Sequence, residues 1–280
     1  MPRVAVVGGN GWLGSQLTRA LAADPLLDVD SLRIDETKSK SEFVRTHDFS
    51  LYSKIICLVG GRRSNSYEYE KDFSTLNFLM RVSAEVGIPV IHLGSAAEIG
   101  NPHGGDLDPK GVPSKPTSQY GEWKLRATEL VIDSAEENCV LRLFNVAGFP
   151  LKQSTAFQML VGPFVELTSN VTVRTPGLLF VRDYLDVTTI CGAIREACFQ
   201  DFRGMYDLCS GVGVRASEII EWAEEATGLR ASISISGDVD ESEVIGNNSK
   251  IEAALGQQLR CDWSSLRQQL RRERAGQRRM

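Results

Sequence analysis

The chain is poor in the groups from which metal centres and disulfide frameworks are built. Its six cysteines, Cys57, Cys139, Cys191, Cys198, Cys209 and Cys261, stand singly, with no C-x-x-C pair. Several lie in apolar runs, where cysteine acts as a small hydrophobe. This argues against a zinc site or a disulfide framework and for a reducing compartment. The three histidines, His47, His92 and His103, are far apart and lack ligand spacing. His92, inside Val90-Ile91-His92-Leu93, reads as a core histidine, and no metal site is expected. No apolar run approaches the length of a membrane span, and the N-terminus shows no apolar segment of signal length. No membrane partner and a cytoplasmic location are therefore expected. Basic charge is not in excess either: 31 Lys and Arg stand against 36 Asp and Glu, a net charge of −5, which argues against a general nucleic-acid binder. The exception is terminal, where Arg267, Arg271, Arg272, Arg274, Arg278 and Arg279 face Glu273 alone. That cluster reads as a solvated, fraying helix face, with an acidic partner as the alternative.

What is present is enough apolar material for a large core: 280 residues, 42% hydrophobic, suit one or two domains. Short β-branched runs, Val4–Val7, Ser31–Ile34, Ile55–Val59, Val90–Leu93 and Val140–Phe144, alternate with helical patterns near 14–24, 68–86 and 118–137. Apolar strands separated by amphipathic helices imply an α/β fold with a doubly wound parallel sheet, whose ligands sit at the carboxyl ends of the strands. Beyond Phe144 the elements become shorter and irregular: one at 156–167, helices near 183–199, 215–227, 249–255 and 263–274, and strands near 171–174 and 205–209. We expect a nucleotide-binding domain over 1–145, also receiving about 178–210, and a smaller substrate lobe over 146–280. The cleft between them is the expected active site.

Three local patterns carry chemistry. The run Gly8-Gly9-Asn10-Gly11-Trp12-Leu13-Gly14 follows the strand Val4–Val7 and opens a helix. Converging backbone N–H groups, the positive end of the helix and missing Cβ atoms make such a turn a diphosphate site. Tyr120 and Lys124, four apart near the start of a helix, share one face. An ammonium beside a phenol favours the phenolate, which suits a group asked to move a proton near neutral pH. Alone, the pair also fits an ordinary helix surface. Ser95 follows the strand Val90–Leu93 and stands at the mouth of the sheet, as a loop-capping hydroxyl or a hydrogen-bond donor to substrate.

In this order the three patterns resemble the extended short-chain dehydrogenase/reductases, which include nucleotide-sugar epimerases, dehydratases and ketoreductases. Gly8, Gly11 and Gly14 match the family's G-x-x-G-x-x-G, and Ser95, Tyr120 and Lys124 match its Ser/Tyr/Lys triad. Arg142 to Asn145 looks like its Arg-x-x-Asn strand end, and Arg182-Asp183-Tyr184 like its Arg-Asp-Phe/Tyr segment. Tyr206 to Gly211 and Asn247 to Lys250, with Leu255-Gly256, resemble its closing motifs. Within the family, residues 94–100, 209–211 and 247–250 look most like reductases of GDP-4-keto-6-deoxymannose.

The resemblance implies that Ser95, Tyr120 and Lys124 are catalytic and that Ser95, Asn145 and Arg182 meet substrate, while Arg142 is structural. It places NAD or NADP on Gly8, Asn10, Gly11, Trp12, Leu13, Gly14, Asp35, Gly60, Tyr120 and Lys124. Asp35, 21 residues after Gly14, suits ribose hydroxyls and slightly favours NAD. Arg33, Lys38 and Lys40 lie near enough to oppose that inference, and a merely solvated Asp35 stays open. A homodimer through the helices at 68–86 and 118–137 is also implied, with Phe73, Leu76, Phe78, Leu79, Met80 and Val82 serving core and interface together.

Departures narrow the chemistry. Ala96 and Ala97 stand where 4,6-dehydratases carry their acid and glutamate, which disfavours dehydration. The stretch between Asp35 and Ile55 is short for the family, leaving His47-Asp48-Phe49 as a candidate vestige of an adenine-contacting motif. Ile99 replaces a tyrosine before Gly100. No late arginine for a diphosphate appears in Gly237 to Glu243, whose acids read as a solvated loop or as a sign of a substrate that is no sugar nucleotide. The leading expectation is an NAD(P)-dependent ketoreductase of a keto-sugar nucleotide. A 4-epimerase that retains NAD, a reductase of a non-nucleotide carbonyl and a nicotinamide-sensing protein with a relict site are the alternatives.

Overall fold

A computed structural model describes residues 1–33, 48–61, 65–100, 115–167 and 169–277. Asp35, Lys38, Lys40, His47 and His103 lie outside the described residues. Six strands form a parallel sheet in the order β2-β1-β3-β4-β5-β9. They are β1 Arg3–Val7, β2 Asp28–Leu32, β3 Lys54–Cys57, β4 Val90–Ser95, β5 Cys139–Leu143 and β9 Gly204–Leu208. Alternation along each strand sends successive side chains to opposite faces. Val4 and Val6 meet Leu17 and Leu21 of helix α1 (Trp12–Ala22) and Ile190 and Ile194 of α5 (Val187–Phe199). Ala5 and Val7 meet Leu76 and Leu79 of α2 (Ser66–Val86) and Trp123 and Ala127 of α3 (Gln119–Ser134). The sheet is thus covered on both sides, the Rossmann-like arrangement that the alternating runs imply.

A second core gathers helices α4 (Ala156–Glu166), α6 (Ala216–Thr227) and α8 (Trp263–Gln277) around Phe157, Phe164, Ile219 and Leu266. Beside it, strand β8 (Val181–Asp186) pairs with β6 (Asn145–Ala147), β10 (Gly213–Arg215) and β12 (Glu243–Val244). A separate parallel pair joins β7 (Val171–Thr175) to β11 (Ala231–Ile235). Segment 178–210 divides: β8 joins the second sheet, while α5 and β9 join the first. The expected helix 183–199 overran β8, whose buried residues include Asp183 and Asp186 beside apolar ones. Asp183 explains this locally. Its carboxylate accepts from Ser210 N (2.8 Å), Ser210 Oγ (2.7 Å) and Gly211 N (2.8 Å), pinning β8 to the turn after β9.

The terminal arginines are not simply a solvated, fraying face. Arg274 is buried and its guanidinium donates to the carbonyls of Phe164 (2.6 Å) and Leu167 (3.3 Å), closing the C-terminal end of α4. Arg271 donates to Ala226 O (3.0 Å) near the end of α6, and Arg267 pairs with Glu225 (3.0 Å). Arg274→Ala is expected to lower unfolding stability by about 2–3 kcal/mol, because buried carbonyls lose a charged donor. Urea denaturation checks this, with dinucleotide affinity unchanged.

The apolar residues expected to serve core and interface together have their core role in one chain. Leu76, Phe78, Leu79, Met80 and Val82 are all buried in the core, and Phe73 lies 4.3 Å under the Arg126 guanidinium.

Candidate active site

The carboxyl ends of β1, β3, β4 and β5 open into one cavity of about 1000 Å³, also lined by residues outside that sheet, among them Lys152, Thr155 and Arg182. Gly8, Asn10, Gly11, Trp12, Leu13, Gly14, Gly60, Ser95, Tyr120, Lys124, Asn145 and Arg182 all line it. Of the expected site residues only Asp35 cannot be placed, since it lies outside the described residues.

The glycine turn forms because the chain must reverse between β1 and α1. Gly8 adopts φ +86, and its carbonyl accepts from Gly11 N (3.1 Å). A Cβ on Gly14 would stand 2.3 Å from Gly8 O and 2.9 Å from Gly9 Cα. No side chain among the described residues caps α1, and its first turn carries no acid. Four helices differ from it, whereas α6 likewise starts without a side-chain cap. Asn65, Ser118, Thr155 and Asp186 cap α2, α3, α4 and α5 with side-chain oxygens. The amides at the start of α1 are therefore left for an anion in the cavity.

Ser95, Tyr120 and Lys124 line the same cavity, and local contacts fix the elements that carry them. Ser95 ends β4; its Oγ accepts from Ala97 N (3.2 Å), and Glu98 Oε1 accepts from Ser95 N (2.6 Å). This closes a short 3-10 turn over Ala96–Glu98 and leaves the Ser95 O–H to donate into the cavity. Lys124 is buried, and its ammonium donates to Leu93 O (2.7 Å), two residues before Ser95. Gly121 lets α3 press on the turn: a Cβ there would stand 2.3 Å from Ala97 O. Tyr120, next in the chain, is half-buried against the α2–α3 core with its ring at the cavity wall.

A buried charged row supports the turn from below. Arg142, within β5, pairs with Glu98 (3.3 Å) and Asp207 of β9 (3.2 Å), so it is structural as expected. Burial pushes both carboxyls up from their ordinary values, while Arg142 pulls them back. His92, register partner of Cys57 in the sheet, is also fully buried. Burial first, and the Lys124 ammonium second, hold its pKa well below 6.5. The unfolded chain protonates this imidazole near pH 6.5 and the folded chain does not, so His92 draws stability down as pH falls below that value. The slope reaches about 1.4 kcal/mol per pH unit. His92→Gln is expected to lose this acid-side slope, read as the pH dependence of the difference in urea stability between the two proteins.

Two expected substrate residues are already engaged. Asn145 donates to Asp183 O (3.3 Å). Arg182 donates through one Nη to the carbonyls of Val181 (2.8 Å) and Ser242 (2.7 Å), and through the other to Asp240 (2.7 Å) and Ser242 Oγ (2.9 Å). The acids at 237–243 are thus not all solvated, since Asp240 faces the expected substrate arginine. Ile99 does not line the cavity; it packs with Cys209 behind Phe144 and Val244, which do. Asp48 caps the turn Phe49–Leu51 through Ser50 N (3.1 Å), and Phe49 is core. Neither lines the cavity. Sequence reading did not single out Lys152, Ser154 and Thr155, which line the second-lobe side. Their signal was positional: they lie between a strand end and the start of α4. Trp12 ties that loop to the glycine turn by donating Nε1–H to Pro150 O (2.7 Å).

Glycine turn, uncapped helix and a Ser/Tyr/Lys set on a doubly covered parallel sheet define a dinucleotide-dependent enzyme of the short-chain dehydrogenase/reductase type. The chain belongs to the NAD dependent epimerase/dehydratase family, whose model matches residues 4–200. It is 24% identical over 259 residues to dTDP-6-deoxy-L-talose 4-dehydrogenase (NAD(P)(+)) of Kitasatospora kifunensis, covering 82% of this chain and 81% of that protein. Its fold superposes on UDP-glucuronic acid 4-epimerase from Bacillus cereus, solved with UDP-glucuronic acid and NAD (TM-score 0.82, 16% identity, 98% of this chain and 99% of that one). It also superposes on RMD from Pseudomonas aeruginosa complexed with NADPH (TM-score 0.78, 20% identity, 98% and 100%). Among the described residues no helix is long and apolar enough to cross a membrane.

Proposed function

We propose that the chain is an NAD(P)H-dependent ketoreductase acting on a keto-sugar nucleotide. The observation that carries this reading is the meeting of Ser95, Tyr120 and Lys124 in the same cavity as the uncapped start of α1. The cavity fits a dinucleotide: glycines 8, 11 and 14 and the α1 amides would hold its diphosphate, and Gly60 flanks it. A reduced nicotinamide bound there supplies hydride to the substrate carbonyl carbon. Tyr120 gives its phenolic proton to the alkoxide oxygen that forms. Ser95, oriented by Ala97 N, donates a hydrogen bond to the same oxygen. Lys124 has three N–H donors, of which Leu93 O takes one; the others would serve the cofactor ribose. Ala96 and Ala97 carry no proton-moving group, so the site is built for hydride transfer rather than dehydration.

Arg33 lines the cavity at the end of β2 and offers a cation to a 2′-phosphate, against Asp35, which favours NAD. Titration with NADH and NADPH decides between them. Cofactor oxidation on adding a keto-sugar nucleotide tests the reductase. Protein that retains NAD through purification and shows no net redox turnover points instead to the 4-epimerase. The homodimer stands on the family resemblance alone, and light scattering at micromolar concentration is expected to give twice the monomer mass.

A further inference from the structure

We propose that Asp240 is an internal competitor for Arg182: its carboxylate holds the place on the guanidinium that a substrate diphosphate takes. Asp240 thereby sets how strongly the site accepts that anion. This rests on the sugar-nucleotide reading above.

Arg182 starts from β8 and borders the cavity, stacked 5.0 Å from the Phe180 ring centre. Both of its Nη groups are occupied, each by two acceptors, and three of the four partners come from the segment around Asp240 and Ser242. That segment is not a loose loop that happens to touch. Asp240 N donates to Pro176 O (3.0 Å), Val181 N donates to Ser242 O (2.9 Å), and Glu243 and Val244 pair with β8. Asp240 is itself oriented, its Oδ1 accepting from Ser242 N (2.9 Å) and Ser242 Oγ (2.5 Å), so that Oδ2 meets Arg182. The Asp240 oxygen takes a guanidinium N–H that a phosphate oxygen would otherwise accept from. An incoming diphosphate must break a charged hydrogen bond that is already made, and finds a second negative charge beside it. An anion-free substrate meets neither cost.

The test is calorimetric titration of UDP, GDP and dTDP, with the corresponding neutral nucleosides as controls. The proteins are the full chain, Asp240→Asn, Arg182→Met and the double variant. Asp240→Asn is expected to tighten the diphosphate that the full chain binds by about tenfold, equal to about 1.4 kcal/mol. Nucleoside affinity should not move, and the gain should vanish in the Arg182→Met background. NADH affinity reports that each variant is folded; Asp240→Ser serves if Asp240→Asn is not. Unchanged diphosphate affinity in Asp240→Asn, or a gain that survives Arg182→Met, overturns the competitor role and leaves the sugar-nucleotide reading intact. If NADH binds but no diphosphate binds either the full chain or Asp240→Asn, both fall together.

Discussion

Tyr120→Phe is expected to reduce carbonyl-reduction turnover by about 10²- to 10⁴-fold, the usual worth of a positioned general acid. The affinity for reduced dinucleotide should be little changed. The substitution removes one oxygen from a ring that is half-buried against the α2–α3 core, so phenylalanine fills the same space. Lys124 keeps its bond to Leu93 O and Ser95 keeps its turn, because neither contact involves the phenol. Loss of turnover with intact binding therefore isolates proton delivery. Steady-state kinetics beside direct titration reads both. Turnover within about twofold of the unaltered protein would place the proton donor elsewhere, since no general-acid contribution of the usual size would have been lost.

Gly14→Ala is expected to weaken NADH by about 10- to 100-fold, the affinity equivalent of the strain that overpacking normally costs. The added methyl group would meet Gly8 O at 2.3 Å and Gly9 Cα at 2.9 Å. Both are backbone atoms in the turn, so no side chain can swing aside and the loop itself must open. Opening it moves the amides at the head of α1 away from the diphosphate. A titration that shows unaltered NADH affinity would mean the dinucleotide does not use this turn.

Much of the site was legible because its parts are local. A glycine turn is written in seven consecutive residues, the Tyr120–Lys124 spacing in one helical turn, and Ser95 directly follows an apolar strand. Strands β1, β3, β4 and β5 were legible because burial on both faces makes them continuous apolar runs. Strand β2 was misplaced toward Ser31–Ile34. The observed Asp28–Leu32 is an edge strand whose Asp30 is held by Arg3 Nε (2.9 Å) and Tyr52 (2.8 Å), so charge is tolerated there. Strand β12 has two residues and no periodicity to read. What sequence could not give is pairing over distance. Asp240 lies 58 residues from Arg182, and Arg274 lies 110 from the carbonyl it closes. In each case the side chain looked solvated in its own neighbourhood and found its partner only through the fold. Arg182 shows the consequence for function: the motif located it correctly at the cavity, and the structure showed its donors already in use.

Hydride transfer across this cavity leaves an isotopic signature. Reduced dinucleotide carrying deuterium at its transferable position is incubated with the protein and a keto-sugar nucleotide, and the sugar product is weighed by mass spectrometry. Deuterium at the former carbonyl carbon, gained about 10²- to 10⁴-fold more slowly when Tyr120→Phe replaces the protein, is the expected result. Tight dinucleotide binding with no deuterium passed to any keto-sugar nucleotide, and none exchanged with one, would contradict it.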